Sequence, residues 1–249
     1  MIKKIAIIGV VLVLAAYLIH AVVVLSRQTE AEQTCSELQI EIQSTSANNY
    51  LSEKNILKIL TDQQLNPIGQ TGQNIRTNAI EKTLEANPFI ADAEVYKTLN
   101  GKVKIKITPR TPVLRVITET ENYYVDDRGT IMPIPPDFGA FVPVATGNVK
   151  KSYAMRELYK FVVYLQNNNF WNNQIEQINV LHNMDVELIP KKGDHIILLG
   201  EIANYQENLD KLQLFYEKGL NEVGWNRYSM INLKYKNQVV CTKKEKKTI

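Results

Sequence analysis

A hairpin signal decides the fold of the first half of the chain, in the stretch AEVYKTLNGKVKIKI, residues 93–107. Val103, Ile105 and Ile107 alternate with lysines, which is the two-residue period of a strand with one buried face. Asn100-Gly101 tolerates the positive φ angles that a tight β-hairpin turn requires. The stretch therefore predicts two antiparallel strands, with the lysines on a solvated face that discourages edge pairing.

The residues before this hairpin predict one more strand and two helices. Apolar and polar residues alternate from Leu38 to Ile42, as in a half-buried strand. Ser52 can cap a helix whose apolar residues follow the i, i+3, i+4 spacing. The segment 78–81 resembles a capping box for a second helix, which ends at Asn87-Pro88. The predicted order is β-α-α-β-β, with both helices on one side of a small sheet.

The second half of the chain predicts a larger β-rich region with helices packed on its sheet. Ser152 and Asn204 are the predicted starts of two helices, and Ile231 to Val239 is the predicted final strand. The other predicted strands include 113–117, 123–125, 175–180, 186–189 and 195–199. The predicted fold class is therefore α+β.

The N-terminus carries a segment long enough to cross a membrane. Residues 5–25 are 21 residues of which only Gly9 and His20 are not apolar. As a helix they span about 30 Å, the hydrocarbon thickness of a bilayer. Lys3 and Lys4 precede the segment, so the positive-inside rule predicts a cytoplasmic N-terminus. A cleaved signal peptide is the competing interpretation, but its apolar region is usually about 7–15 residues and ends in a small-residue cleavage site; we predict an uncleaved single-pass anchor.

The charge and the cysteine count exclude several classes of protein. The formal net charge is +3, of which Lys3 and Lys4 contribute two and residues 241–249 three, so the rest of the chain carries −2. A slightly acidic body argues against nucleic-acid binding, which needs clustered positive charge. Two cysteines and three histidines cannot form a disulfide scaffold or a Cys/His zinc cage. The sequence leaves open whether Cys35 and Cys241 form a disulfide or are free thiols.

No catalytic motif assembles in the sequence. Asp126 and Asp127 are adjacent and suit a turn better than paired-carboxylate catalysis, and His182 and His195 have no cysteine near them. We expect no cofactor, no metal and no small-molecule substrate. The absence of a catalytic motif favours a binding protein. The alternative is an anchored or secreted cell-envelope enzyme that acts on peptidoglycan. It requires Asp126, Asp127, Glu187 or His195 to converge in one pocket.

The final strand is the candidate surface for a partner protein. Its polar residues and the lysine-rich segment 242–249 suit a strand at a sheet edge, which offers unpaired backbone N–H and C=O groups. An internal strand that closes the domain would show the same pattern. The sequence does not separate these two arrangements.

The chain also resembles the FtsQ/DivIB family of bacterial cell-division proteins in five stretches that occur in the family's order. They are NPFIADAEV (87–95), IKITPRTPV (105–113), YVDDRG (124–129), LLGE (198–201) and INLKYKN (231–237). The chain departs from the family where Pro109 replaces the usual Glu, Asn232 the usual Asp and Lys234 the usual Arg.

The resemblance implies the organisation and the function of the chain. The implied parts are a cytoplasmic segment (1–4), a transmembrane helix (5–25), a POTRA domain (33–110), a β domain (111–241) and a basic tail (242–249). The implied function is that of a non-enzymatic divisome scaffold that supports septum formation. It would lie in the cytoplasmic membrane at the division site, with its C-terminal domain periplasmic or otherwise extracytoplasmic.

The resemblance further implies the partners and the contact residues. The partners are FtsB/FtsL-like coiled-coil proteins, and the final strand accepts an added strand from FtsB. The predicted partner-binding residues are Lys234, Tyr235, Asn237 and Val239. Because Lys lacks the bidentate fork of Arg, Lys234 would hold a carboxylate more loosely than the usual family residue.

Overall fold

The computed structural model describes residues 12–23, 34–98, 100–172 and 174–245. They form a mixed α+β protein, which agrees with the predicted fold class. The chain divides into two compact units. Unit 1 consists of Met1–Ser44 and Leu51–Pro109, and unit 2 of Thr45–Tyr50 and Arg110–Ile249. No pattern in the sequence predicts that Thr45–Tyr50 belongs to unit 2.

The first helix, α1, covers residues 12–23, inside the predicted membrane span 5–25. The other residues of that predicted span lie outside the described residues, as do the predicted cytoplasmic segment 1–4 and the end of the basic tail after residue 245. Within the described ranges, no helix has both the length and the apolar character needed to cross a membrane.

Unit 1 has the predicted β-α-α-β-β order. Its elements are β1 (Glu37–Ile42), α2 (Glu53–Asp62), α3 (Thr77–Glu85), β2 (Ile90–Lys97) and β3 (Lys102–Pro109). The strands form a sheet in the order β1-β3-β2, in which β3 is antiparallel to β2 and parallel to β1. The hairpin prediction is therefore confirmed, and Gly101 in its turn has a φ of +69°.

The two helices of unit 1 begin in different ways. Ser52 caps α2 as predicted: its Oγ accepts the N–H of Asn55, and the Asn55 side chain accepts the N–H of Ser52. The predicted capping box of α3 is wrong, since Arg76 occupies the N-cap and makes no side-chain capping bond. The Glu81 carboxylate instead accepts the N–H of Val95 on β2, at 2.8 Å.

The core of unit 1 lies between one face of the sheet and the two helices. Its fully buried side chains include Ile56 and Leu60 of α2, Ile80 and Leu84 of α3, and Ile105 and Ile107 of β3. The lysines of β3 lie on the other face, where two of them form ion pairs with neighbouring strands: Lys102 with Glu37 (2.6 Å) and Lys106 with Glu94 (3.9 Å). The alternation in the sequence therefore separates the core face from the solvated face.

Unit 2 is built on a nine-stranded mixed sheet. Its strands are β4 (Pro112–Ile117), β5 (Asn122–Asp126), β6 (Ile131–Met132), β7 (Val144–Gly147), β8 (Ile175–Val180), β9 (Val186–Pro190), β10 (Ile196–Gly200), β11 (Tyr228–Asn232) and β12 (Val240–Lys243). Their order in the sheet is β12-β11-β10-β9-β8-β7-β4-β5-β6. The pairs β10–β11, β7–β8 and β4–β7 are parallel, and the other pairs are antiparallel.

Two helical stretches of unit 2 pack on this sheet. The first contains α4 (Lys151–Tyr153), a π-helical turn (Ala154–Leu158) and α5 (Tyr159–Asn167). The second contains a 3₁₀ turn (Ile202–Asn204), α6 (Tyr205–Phe215), a π-helical turn (Tyr216–Leu220) and α7 (Asn221–Val223). The predicted N-caps Ser152 and Asn204 make no capping bonds: Ser152 lies inside α4, and Asn204, although it precedes α6, does not use its side chain.

The core of unit 2 is continuous along the sheet. Phe161 and Val162 of the first helical stretch and Leu209 and Leu212 of the second are fully buried in the same hydrophobic cluster as the apolar residues of β8, β9 and β10. The helices therefore pack against the sheet as far as β11. Beyond β11 the sheet contains only β12.

Candidate partner-binding site at the last strand

The end of the chain forms two strands where the sequence predicted one. β11 ends at Asn232, whose side-chain oxygen accepts the N–H of Lys234 at 3.0 Å. This local bond competes with strand pairing and turns the chain away from β11. Asn237 then adopts a φ of +58°, in the left-handed region that asparagine tolerates better than most residues.

The predicted final strand through Val239 is therefore wrong in its extent. Lys234, Tyr235 and Asn237 lie in the β11–β12 turn (residues 233–239), and Val239 directly precedes β12. β12 occupies one end of the sheet order, and among the residues described no strand pairs with its second side. The sheet edge that the sequence left open is thus formed by Val240–Lys243.

Two hydrogen bonds determine which backbone groups of β12 face outward. Thr242 O accepts the hydroxyl of Ser229, and the N–H of Lys244 donates to Arg227 O, so both groups point toward β11. Successive residues of a strand direct their N–H and C=O groups to alternate sides. The register shift between Tyr228 and Met230 falls on β11 and leaves β12 regular. The N–H and C=O groups of Cys241 and Lys243 therefore face away from the sheet.

The β11–β12 turn is held from two directions. The Lys211 ammonium on α6 donates to Leu233 O at 3.0 Å and to Tyr235 O at 2.9 Å. Lys234 Nζ lies 2.6 Å from Asp185 Oδ2, and this hydrogen bond raises the pKa of Lys234. Asp185 is buried, and its carboxylate also accepts the side-chain N–H of Asn183. These contacts fix the turn next to the open edge.

Gly200 makes room for the Lys234 side chain. A β-carbon at Gly200 would lie 2.7 Å from Lys234 Cγ, and the φ of Gly200 is +82°. Any other residue at this position would meet both a close contact and a strained backbone. Gly200 belongs to the LLGE stretch. Its contact with Lys234 and its positive φ explain why a glycine is needed at this position.

Exposed apolar side chains flank the open edge. Tyr235 is 53% exposed and Val240 is 43% exposed. A shallow groove runs beside the β11–β12 turn, with Leu214, Phe215 and Val239 as its apolar lining. Its polar lining includes Lys211 and Lys218. The edge, the turn and the groove together form a surface that suits an extended segment followed or preceded by apolar anchors.

Comparison with known proteins identifies the type of chain. The family model described as FtsQ/DivIB, C-terminal related, matches residues 111–242, which is more than half of the sequence. The chain belongs to the FtsQ/DivIB family. A POTRA-like domain model matches residues 33–108. None of the curated proteins compared with the chain matches it.

Membership of the FtsQ/DivIB family associates the chain with cell division, and the family is one of non-enzymatic division scaffolds. The structure places two carboxylates of the alternative, enzymatic hypothesis far apart in the sheet. Asp126 ends β5, whereas Glu187 lies on β9, and the sheet order puts three strands between them, or about 19 Å. Asp126 and Arg110 form a buried ion pair at 2.7 Å, and Glu187 accepts the side-chain N–H of Asn179.

The histidines and cysteines of this FtsQ/DivIB chain form no metal site in the part that the structure describes. His195 is buried and its Nε2 lies 2.7 Å from the hydroxyl of Tyr216. Cys35 and Cys241 are both free thiols. Cys35 is buried, and burial raises the pKa of Cys241.

Sequence reasoning missed the residues that hold the site, because their partners are distant in the chain. Lys211 is 22 residues from Leu233, and Asp185 is 49 residues from Lys234. An isolated lysine on a helix and an aspartate in a turn carry no pattern of their own. One local signal was present: Asn237 interrupts the run of apolar residues at every second position, and both Asn232 and Asn237 are of a type that is typical of turns.

Proposed function

We propose that this chain is a membrane-anchored, non-enzymatic scaffold of the divisome that binds an FtsB/FtsL-like partner by adding a partner strand to β12. The observation that carries the proposal is the open edge of β12, where the backbone groups of Cys241 and Lys243 face away from β11. Unpaired N–H and C=O groups at a sheet edge are the template for strand addition.

The side chains around the edge supply specificity for the added strand. Tyr235 offers an exposed aromatic face, and Val239 lines the apolar groove beside α6. Asn237 shapes the turn through its left-handed backbone. Lys234 contributes by holding the turn through Asp185, since its ammonium is already engaged there. Aromatic and apolar anchors next to backbone pairing are the usual sources of affinity in such complexes.

The charge around the edge favours an acidic partner segment. Lys211 and Lys218 line the groove and Lys243 lies on β12, whereas Lys244, directly after β12, is already paired with Asp194 at 3.1 Å. A cluster of one charge sign raises the association rate of a partner of the other sign, and the effect falls with ionic strength. We therefore expect the association rate, more than the dissociation rate, to depend on salt.

The membrane anchor of the scaffold is the apolar segment 5–25, with the N-terminus in the cytoplasm. Its support is the length and apolarity of this segment and the position of Lys3 and Lys4 before it. Alkaline carbonate extraction of cell membranes should leave the chain in the membrane pellet. Protease added to spheroplasts should digest residues 34–245. Release by carbonate would contradict the anchor, and protection from protease would contradict the orientation.

Two proline variants test strand addition at β12. Lys243→Pro removes an outward N–H and leaves the β11 ladder intact, whereas Thr242→Pro removes a group on the β11 side. We expect Lys243→Pro to weaken binding of the full chain to an FtsB/FtsL-like complex by at least about tenfold without a change in unfolding temperature. Thr242→Pro should lower the unfolding temperature as well. Lys243→Ala controls for the lost charge and should bind within about threefold of the wild type.

Tyr235→Ala tests the anchor beside the edge. Because Tyr235 is 53% exposed, removal of its ring should weaken partner binding and leave the unfolding temperature unchanged. Biolayer interferometry on the full chain measures both rates, and the loss should appear in the dissociation rate. Wild-type affinity for both Tyr235→Ala and Lys243→Pro would contradict the proposed site.

A further inference from the structure

The sheet of unit 1 has two edges, which differ in how far other parts of the chain cover them. On the β2 edge, the N–H of Val95 is occupied by the Glu81 carboxylate of α3, and the core-facing residues Ala93 and Val95 are buried. On the β1 edge, residues 69–71 pair with Thr34 and Cys35 just before the strand, but no described strand pairs with the second side of Glu37–Ile42 itself. An edge covered by a helix is protected from further pairing, while an uncovered edge is a template for it.

The core-facing side chains of β1 are incompletely covered. Leu38, Ile40 and Ile42 pair in register with Val103, Ile105 and Ile107 of β3. The three β3 residues are at most 1% exposed, whereas the three β1 residues are only partly buried. A further strand beside β1 would cover these apolar side chains, and burial of apolar surface favours association.

The charged residues on the solvated face of β1 determine which charge an added strand should carry. Glu37 and Glu41 lie on this face, opposite Lys102 and Lys106 of β3. Glu37 is paired with Lys102, but Glu41 forms no ion pair with any described residue. A strand with lysine or arginine at every second position would complete a cross-strand pair with Glu41. A second copy of β1 would instead place acidic columns side by side, which is destabilising.

We infer that β1 is a second strand-addition site, in unit 1, for an extended partner segment that alternates apolar residues with lysine or arginine. This site is independent of β12 and of the partner proposed there, because it belongs to a different sheet. The chain itself contains a segment of this chemistry: β3, KVKIKI at residues 102–107, already pairs with β1 on its inner side.

The test uses the peptide KVKIKI as a probe and EVEIEI as its control, with the full chain in detergent. Fluorescence anisotropy of labelled peptide gives the affinity, and hydrogen exchange locates the bound peptide by the amides that it protects. We expect KVKIKI to bind and to slow exchange in β1, residues 37–42, while exchange in β2 and β12 stays unchanged. EVEIEI should bind at least about fivefold more weakly, the effect of one cross-strand charge pair.

Charge reversal at the two edges supplies the matched variants. Glu41→Lys should weaken binding of KVKIKI about fivefold and strengthen binding of EVEIEI, since the selective charge is inverted. Asp92→Lys makes the same change on the solvated face of β2, opposite Thr108 and away from Lys106, and should leave both affinities within about twofold. Equal affinity for the two peptides, protection at β2 or β12 instead of β1, or no binding up to about 1 mM would overturn the inference. Protection of β1 that increases with chain concentration without peptide would show a second copy there and would overturn it too.

Discussion

Lys234 Nζ lies 2.6 Å from Asp185 Oδ2, and this contact joins the β11–β12 turn to the segment just before β9. Lys234 was predicted to contact a partner carboxylate, but the structure shows that it already holds one of its own. Asp185 is buried, and its Oδ2 also accepts a hydrogen bond from the side-chain amide of Asn183. The ion pair therefore orders the turn beside the open edge of the sheet, and the partner would meet a preformed surface.

Lys234→Met should loosen this turn without unfolding the chain. Methionine keeps most of the apolar stem and removes the ammonium, so that the turn loses its contact with Asp185. We expect faster hydrogen exchange in residues 233–239, weaker binding of the FtsB/FtsL-like partner and a lower unfolding temperature, because the buried Asp185 carboxylate loses its cationic partner. Lys236→Met is the matched control, since Lys236 is exposed in the same turn. Equal effects of the two substitutions would contradict a specific role for Lys234.

Gly200→Ala should destabilise unit 2 for two separable reasons. The new β-carbon would lie 2.7 Å from Lys234 Cγ, and the φ of +82° disfavours any side chain. The expected loss in free energy of unfolding is about 1–3 kcal/mol, measured by urea denaturation.

The double variant Gly200→Ala/Lys234→Ala separates the two causes. Removal of the lysine stem relieves the steric contact and leaves the backbone strain. The double variant should therefore recover part of the loss after correction for Lys234→Ala alone. Strict additivity of the two substitutions would show that the contact between them costs nothing.

Asp126 and Asp127 are adjacent in sequence but differ in what they do. The Asp126 carboxylate is fully buried, pairs with Arg110 at 2.7 Å, and accepts the backbone N–H groups of Arg128 and Thr130. Asp126→Ala leaves Arg110 without its partner, and we expect a loss of about 3–5 kcal/mol in the free energy of unfolding. Asp127→Ala, at an exposed carboxylate, should change it by less than about 0.5 kcal/mol. Similar losses from the two substitutions would contradict this assignment, and urea denaturation distinguishes them.

The sequence predicted the elements whose causes are local. The hairpin at Asn100-Gly101 and the α2 cap at Ser52 depend on residues within one turn of each other, and both formed as expected. The α3 capping box failed because Glu81 has a competing acceptor role 14 residues away, at the N–H of Val95. A local motif loses its predictive value where a distant backbone group offers the same side chain a better-placed bond.

The candidate site was predicted less well, since its geometry depends on contacts between distant residues. The sequence predicted one final strand, from Ile231 to Val239, and left open whether it lies at a sheet edge. It did not show that Asn232 and Asn237 divide the region into two strands, and this division moves the open edge from Lys234 to Cys241 and Lys243. The alternation of backbone groups along β12 follows from its register with β11, and no side-chain pattern records that register.

Acidification should destabilise unit 2 through His195. Its Nε2 lies 2.7 Å from the Tyr216 hydroxyl, its Nδ1 is buried without a hydrogen-bond partner among the described residues, and the Trp225 ring packs beside it. Burial, and then the charge of Lys244, lower the pKa of His195, while Asp194 acts in the opposite direction. Tyr216 stays protonated throughout the acidic range, since burial raises its pKa.

The sign of the pH effect follows from the lowered pKa of His195. Between the unfolded-state pKa of about 6.5 and the lower folded-state pKa, the unfolded chain binds more protons, so that the free energy of unfolding falls as the pH decreases through this window. His195→Gln retains an amide that can bond to Tyr216 and cannot be protonated in this range. We expect the wild type to lose more stability than His195→Gln between pH 7.5 and pH 5.0, as measured by urea denaturation at each pH. Because the other titrating groups are common to both proteins, equal losses would show that His195 is protonated as readily in the folded state as in the unfolded state.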